Sequence, residues 1–299
     1  TAIWKHINIL KERGYIFESS TRKGYRLIYA PNLLTPLEID SALHTETFGR
    51  HVVYLSSTTS TNEEAKKIAR EGAEEGTIVV AEEQTGGRGR LTRSFYCPFA
   101  KGIWFTLILR PKFFPMEASK CTLMAAVGVC RGIRRLGLQD AGIKWPNDIL
   151  YHGKKLVGIL TEMSASMEKI DYIIIGAGIN TGMKKSEFPE LFRESATSFL
   201  AEGIDVSRKD LLAAILAELE KEYEIAQTQG FDKVLEDWKA LSITLGQDVR
   251  VIMGEENYTG KAVDIDKDGC LLVDTGEKVE RVIAGDVSIR PIDAPLPKR

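Results

Sequence analysis

Three glycines and two arginines share the stretch Gly86-Gly87-Arg88-Gly89-Arg90, with Arg93 close behind. Glycines let a backbone approach a ligand closely, and guanidinium groups grip phosphate or carboxylate oxygens two at a time. The stretch follows the β-branched run Thr77-Ile78-Val79-Val80-Ala81, which reads as a buried strand. It is therefore either a loop that closes over an anionic ligand or an exposed, solvated connection. Similar chemistry recurs along the chain. Ser56-Ser57-Thr58-Thr59-Ser60-Thr61-Asn62 precedes a helical pattern. A helix N-terminus needs one such residue as a cap, so the surplus can serve either a turn or a ligand. Lys144-Trp145-Pro146-Asn147-Asp148, Gly153-Lys154-Lys155 and Gly176-Ala177-Gly178-Ile179-Asn180 add cations, amides and further glycines. This inventory has no paired carboxylates and no nucleophile beside a base. It suits the stabilisation of spreading negative charge, as in adenylation of a carboxylate, where cations bridge the carboxylate, the phosphate and the leaving pyrophosphate.

Other chemistries fit poorly. The histidines, His6, His44, His51 and His152, share no ligand spacing, so no dedicated protein metal site is expected. Cys97, Cys121, Cys130 and Cys270 are scattered, and a reduced, cytoplasmic protein is expected. There is no Gly-x-Ser-x-Gly elbow and no Walker A loop. Gly176, Gly178 and Gly182 have the wrong spacing for a dinucleotide fingerprint, and Phe188-Pro189 interrupts any following helix. No apolar run approaches the ~20 residues of a membrane helix, and no signal peptide is evident. A net charge of −2 makes the whole molecule no generic polyanion binder.

The elements that must position these residues fall into two or three domains across 299 residues. Thr1 to Arg13 has helical periodicity, with Gly14 as its stop. Tyr15–Glu18 and Tyr25–Tyr29 form a hairpin around a turn containing Arg22 and Lys23. A helix and a basic-tipped hairpin read as the second half of a winged helix-turn-helix. The segment carries six basic side chains (Lys5, Lys11, Arg13, Arg22, Lys23, Arg26) against Glu12 and Glu18, which favours DNA phosphates as a partner. A basic helix packed on the next domain is the alternative. The chain begins with Thr1 already inside a helical pattern, and a fragment lacking its first helices is expected. Two prolines in 30–36 mark a linker. The expected central elements are strands at Val52–Leu55, Gly102–Arg110, Gly142–Lys144, Leu156–Met163 and Asp171–Gly176. Expected helices are Glu63–Glu71, Pro115–Leu136, Ser207–Gln229 and one around Trp238. From Leu245 four short strands between glycine turns, Asp248–Met253, Glu256–Val263, Cys270–Val273 and Val279–Ile283, read as a small SH3-like barrel.

Gln84-Thr85-Gly86-Gly87-Arg88-Gly89-Arg90, Lys144-Trp145-Pro146-Asn147-Asp148, Lys155-Leu156-Val157-Gly158-Ile159-Leu160-Thr161-Glu162 and Gly176–Asn180 occur in one order. Together they resemble the signature set of biotin protein ligases. With the basic module in front, the chain resembles the bacterial bifunctional form, biotin ligase and biotin-operon repressor. The resemblance implies an α+β fold: a central mixed β-sheet with helices, of the class II aminoacyl-tRNA synthetase and biotin-ligase type, in residues 34–243. A partial winged helix-turn-helix (1–33) would precede it and the SH3-like domain (244–299) follow. It also implies biotin and MgATP as substrates, biotinyl-5′-AMP as the intermediate, and transfer to a lysine of the biotin carboxyl carrier protein of acetyl-CoA carboxylase. Operator DNA and a homodimer formed with the adenylate are the further partners.

By motif, Ser60, Thr61, Asn62 and Gln84 would hold biotin, with Arg88, Gly89, Arg90, Lys155, Gly176 and Gly178. Arg88, Arg90, Arg93, Phe95, Asn147 and Asn180 would contact the nucleotide. Lys155, Arg90 and Lys144 would act in catalysis, Lys144 alternatively pairing with Asp148. Trp145 reads as packed support. Thr1, Lys5, His6, Arg22 and Lys23 would face DNA. Mg2+ would come with ATP. Thr92 and Phe95 depart from the family pattern, which has Gly and Trp there; Phe95 keeps a stacking face without the indole N–H.

Overall fold

The computed structural model describes residues 2–12, 15–20, 24–29, 32–90, 93–253, 256–284 and 287–291. The chain divides into two compact units, Thr1–Leu33 and Leu34–Arg299. In the first, helix α1 (Ala2–Glu12) precedes an antiparallel hairpin of β1 (Ile16–Ser20) and β2 (Gly24–Tyr29). Tyr15 is buried, and its amide donates to Leu10 O at 3.1 Å, which turns the chain from helix to strand. Lys5 and His6 are exposed on α1. Thr1, Arg22, Lys23 and the expected helix stop Gly14 lie outside the described residues, as does Thr92.

The second unit is built on a seven-stranded sheet. Its strands in chain order are β3 (Val52–Leu55), β4 (Ile78–Ala81), β5 (Gly102–Leu109), β6 (Gly142–Lys144), β7 (Asp148–Tyr151), β8 (Lys154–Ala165) and β9 (Ile170–Asn180). In space the order is β3-β4-β5-β9-β8-β7-β6. Only β3 and β4 pair in parallel, so the sheet is mixed. β4 and β5 are buried along their whole length, which is why both read as continuous apolar runs.

Side chains alternate between the two faces. On one face Ile173, Ile175 and Ile179 join a large core with helices α4 (Cys121–Arg135) and α5 (Arg208–Gln229). Gly128 and Gly132 bring these helices together: a Cβ at Gly132 would stand 2.7 Å from Ile215 Cα. On the other face Tyr172, Ile174 and Ile108 pack with Ala65 and Ala69 of α3 (Thr61–Arg70). The remaining helices are α2 (Pro36–Ala42), whose Thr35 cap accepts the Glu38 amide, and α6 (Asp232–Leu241). At the end of β4 the buried Glu82 pairs with buried Arg208 at 2.8 Å and also accepts the Leu34 amide at 2.7 Å.

Several expected boundaries move. Gly176–Asn180, most of which lies past the expected strand Asp171–Gly176, is inside β9, hydrogen-bonded to β5 on one side and β8 on the other. Glycine's weak strand preference is overridden there by pairing on both edges. Lys155, just ahead of the expected strand Leu156–Met163, is likewise within β8. The helix expected over Pro115–Leu136 opens with a 3-10 segment, Pro115–Lys120, and is α-helical only from Cys121. The C-terminal β domain has five strands where four were expected: β10 (Asp248–Met253), β11 (Glu256–Ile265), β12 (Leu271–Asp274), β13 (Val279–Val282) and β14 (Val287–Pro291), ordered β13-β12-β11-β10-β14. The fifth is short, ends on proline and pairs only with β10, as an edge strand can.

Candidate functional site

The sheet register builds a floor. Gly178 of β9 stands opposite Trp104 of β5 and Gly158 of β8, while Gly176 stands opposite Thr106 and Leu160. All of these face the α3 side. The missing side chains make room: a Cβ on Gly176 would lie 2.0 Å from Asn62 Oδ1, and one on Gly178 or Gly158 would lie 2.9 or 3.0 Å from the Phe95 ring. Above this floor is a cavity of about 670 Å³. Its lining includes Ser60, Thr61, Asn62, Gln84, Arg88, Gly89, Arg90, Arg93, Phe95, Lys144, Asn147, Lys155, Gly176, Gly178 and Asn180. Every small-ligand residue expected from the sequence is thus brought to one cleft, from segments up to 120 positions apart.

One end is neutral. Ser60 is the N-cap residue of α3 but makes no side-chain cap bond. Gln84 does the capping instead: its Oε1 accepts the Thr61 amide at 2.8 Å, and its Nε2 contacts Cys97 Sγ at 3.1 Å. Asn62 is buried, tied to Glu162 at 2.8 Å and to Thr106 at 2.6 Å.

The other end is cationic. Residues 86–90 pair back on 93–95 as a flap, with Gly89 N donating to Arg93 O at 2.7 Å and Phe95 N to Gly87 O at 2.8 Å. Gly87 is required there, because a Cβ would lie 2.5 Å from Phe95 O. Arg90 Nη1 reaches Asn147 Oδ1 at 3.3 Å, and Asn147 Nδ2 is held by Ile159 O at 2.7 Å. Lys155 Nζ pairs with Asp148 at 2.7 Å and lies 5.6 Å from the Phe95 ring centre. Its backbone is clamped by Ser195 O and the Thr197 amide. Asp148 stands opposite Lys144 in the β6–β7 register. Asn180 donates to Thr197 O at 3.0 Å.

Trp145 lines the cleft yet is buried; its Nε1 donates to Gly269 O at 3.1 Å and its amide to Thr244 Oγ1 at 2.9 Å. The C-terminal β domain therefore supports the lysine–asparagine motif from below. Two parts of the cleft escaped the sequence reading. Phe188, Leu191, Phe192 and Ala196 form a wall from an irregular segment without a motif. Gly158 was available inside the quoted Lys155–Glu162 motif, two residues before Leu160.

Beside the cleft, burial pushes the Cys97 thiol up to about 12 despite its contact with Gln84. Among the described residues no group of three or more His, Cys, Asp or Glu could hold a metal ion. A mixed sheet with a glycine floor, a cationic flap and a neutral polar end defines a class: a domain that binds a small carboxylate and activates it against a phosphoanhydride. The comparisons agree. Residues 54–180 match the biotin/lipoate A/B protein ligase family, and residues 244–290 match the biotin protein ligase C-terminal domain. The bifunctional ligase/repressor BirA of Bacillus subtilis is 40% identical over 97% of this chain and 89% of its own. That of Escherichia coli is 29% identical over 97% and 88%. The structure of the Aquifex aeolicus biotin protein ligase in complex with biotin and ATP superposes with a TM-score of 0.71 at 28% identity, over 81% of this chain and 99% of that one. The chain belongs to the bifunctional biotin ligase/repressor family.

Proposed function

We propose that the chain is an ATP-dependent biotin–protein ligase with a second role as a biotin-dependent repressor of the biotin operon. One observation carries this reading: four separate motifs converge on a single cleft that joins a neutral head-group end to a cationic end. Biotin's carboxylate attacks the α-phosphate of ATP, the Pα–O–Pβ bond breaks, and pyrophosphate leaves with its Mg2+. A lysine amine of the biotin carboxyl carrier protein then attacks the acyl carbon of biotinyl-5′-AMP and releases AMP.

Ser60, Thr61 and Asn62 hold the ureido end, and Gln84 lies along biotin. Gly176 and Gly178 admit the ligand against the backbone. Arg88, Gly89 and Arg90 fold over the adenylate, and Lys155, with Lys144 second, stabilises charge on the carboxylate and α-phosphate. Arg93, Phe95, Asn147 and Asn180 meet the nucleotide, with Phe95 offering its ring to adenine. The flap excludes water from the adenylate. Residues 1–33 act as a helix-and-hairpin module of the winged helix-turn-helix type for operator DNA, through Thr1, Lys5, His6, Arg22 and Lys23. Residues 34–243 form the catalytic domain and 244–299 an SH3-like barrel. The protein works in the cytoplasm, as a homodimer when it carries the adenylate. Incubation with biotin, MgATP and the carrier domain should label the carrier, and operator binding should rise with biotin and ATP. A folded chain that binds biotin without labelling any carrier would reduce the reading to a sensor.

A further inference from the structure

The wall of the cleft that carries no motif is one excursion of the chain after β9, and its return is pinned at Thr197. This residue is 2% exposed, and each of its polar groups is used. Its amide donates to Lys155 O at 2.9 Å, and its carbonyl accepts from Asn180 Nδ2 at 3.0 Å. Its hydroxyl donates to Glu202 Oε1. Glu202 ends a short 3-10 turn, Leu200–Glu202, and its own amide is held by Ser198 O and Phe199 O. Its second oxygen, Oε2, lies 3.3 Å from Nδ1 of His152, in the β7–β8 turn three residues before Lys155. Lys155 and Asn180 line the cleft, whereas Thr197 and Glu202 are not among the described residues that do.

The strand register shows why this return segment matters. Lys155 pairs with Leu150 of β7 on one edge, but β8 meets β9 only from Val157 onward. The other edge of Lys155 is covered by 195–197 instead, through the Ser195 carbonyl and the Thr197 amide. The backbone that aims the Lys155 ammonium is therefore fixed on that side by an irregular segment, and Glu202 is the side chain that anchors the segment from behind. We propose that Glu202 is a positioning residue for adenylate formation: by holding the Thr197 hydroxyl it sets the backbone of Lys155 and the side chain of Asn180 together. Removing the carboxylate leaves a buried hydroxyl without its acceptor and lets the segment shift. A displacement of about 1 Å at a reacting group is enough to slow a step severely, without a comparable loss of substrate binding. The proposal rests on the ligase reading above, which gives Lys155 its task.

Glu202→Ala and Thr197→Val test the contact from its two sides in the full chain. The readouts are the rate of adenylate formation at saturating biotin and MgATP, per active site counted by bound adenylate, and biotin affinity by calorimetry. Each variant should slow adenylate formation about tenfold while biotin affinity changes less than about twofold, the pattern of a lost alignment and not of a lost binding contact. Counting active sites removes any share of unfolded protein, so a merely structural role would leave this rate unchanged. Glu202→Gln should stay close to the wild type, because its amide oxygen accepts the Thr197 hydroxyl and its NH2 donates to His152 Nδ1. The double variant should be no slower than either single one, since both remove the same contact. Thr197→Val keeps the side-chain shape and carries the test if Glu202→Ala does not fold. An unchanged rate per active site, Glu202→Gln as slow as Glu202→Ala, or losses that multiply in the double variant would each overturn the proposal. A wild-type chain that forms no adenylate from biotin and MgATP overturns the proposed function instead.

Discussion

At the scale of single residues, Lys155 carries the clearest expectation. Its ammonium is on a strand clamped from both sides, paired with Asp148 at 2.7 Å, and aimed into the cleft. Lys155→Ala should slow adenylate formation about 10²–10³-fold, the range seen when one preorganised charge-stabilising group is lost, while biotin affinity changes far less. Pyrophosphate release measured beside biotin calorimetry separates the two, and equal losses in both would assign Lys155 to ground-state binding only. The residue types at this site were legible in the sequence because the chemistry needs cations, amides and glycines in short runs. Which hydrogen bonds they make was not. Gln84 reads as a ligand contact, yet its oxygen caps α3 and its nitrogen meets Cys97.

At the scale of elements, two joints hold the site in place. The first is the buried Glu82–Arg208 pair, which fixes the end of β4 immediately before the glycine–arginine flap. Glu82→Ala leaves a guanidinium buried without its carboxylate, and should cost about 3–5 kcal/mol, lowering Tm by roughly 10 °C in thermal unfolding. The second is the turn after β11. Burial works to raise the Asp266 carboxyl, but Arg281 and the Cys270 and Asp268 amides hold it below its ordinary value. Its stabilising effect is therefore complete above the unfolded carboxylate value of about 3.9 and is lost as pH falls through the lower folded value. Because this turn presents Gly269 O to Trp145, acid should loosen the floor beneath Lys144 and Asn147. Asp266→Asn should remove that share of the acid-dependent stability loss, measured as Tm between pH 6 and pH 3; an unchanged pH profile would show that the turn does not depend on the carboxylate.

At the scale of the whole molecule, every described cleft residue belongs to Leu34–Arg299, and none to Thr1–Leu33. A chain of residues 34–299 should therefore keep carrier biotinylation and lose operator binding. Loss of biotinylation with retained fold would place part of the catalytic machinery in the first unit. Among the described residues no helix is long and apolar enough to cross a membrane, and the cleft is reached from solvent.

Composition, periodicity and motif spacing determined most strands and helices, the candidate ligand residues and their grouping by chemistry, since each depends on residue type and short-range spacing; the mixed sheet followed only from the resemblance to biotin protein ligases. Tertiary structure decided the rest. Gly176 and Gly178 became floor instead of loop because two neighbouring strands pair with them. Trp145 found its partner 124 residues away, and Thr106 and Glu162 entered the site only through cross-strand register. Such contacts depend on which strands lie side by side, and local sequence cannot express that.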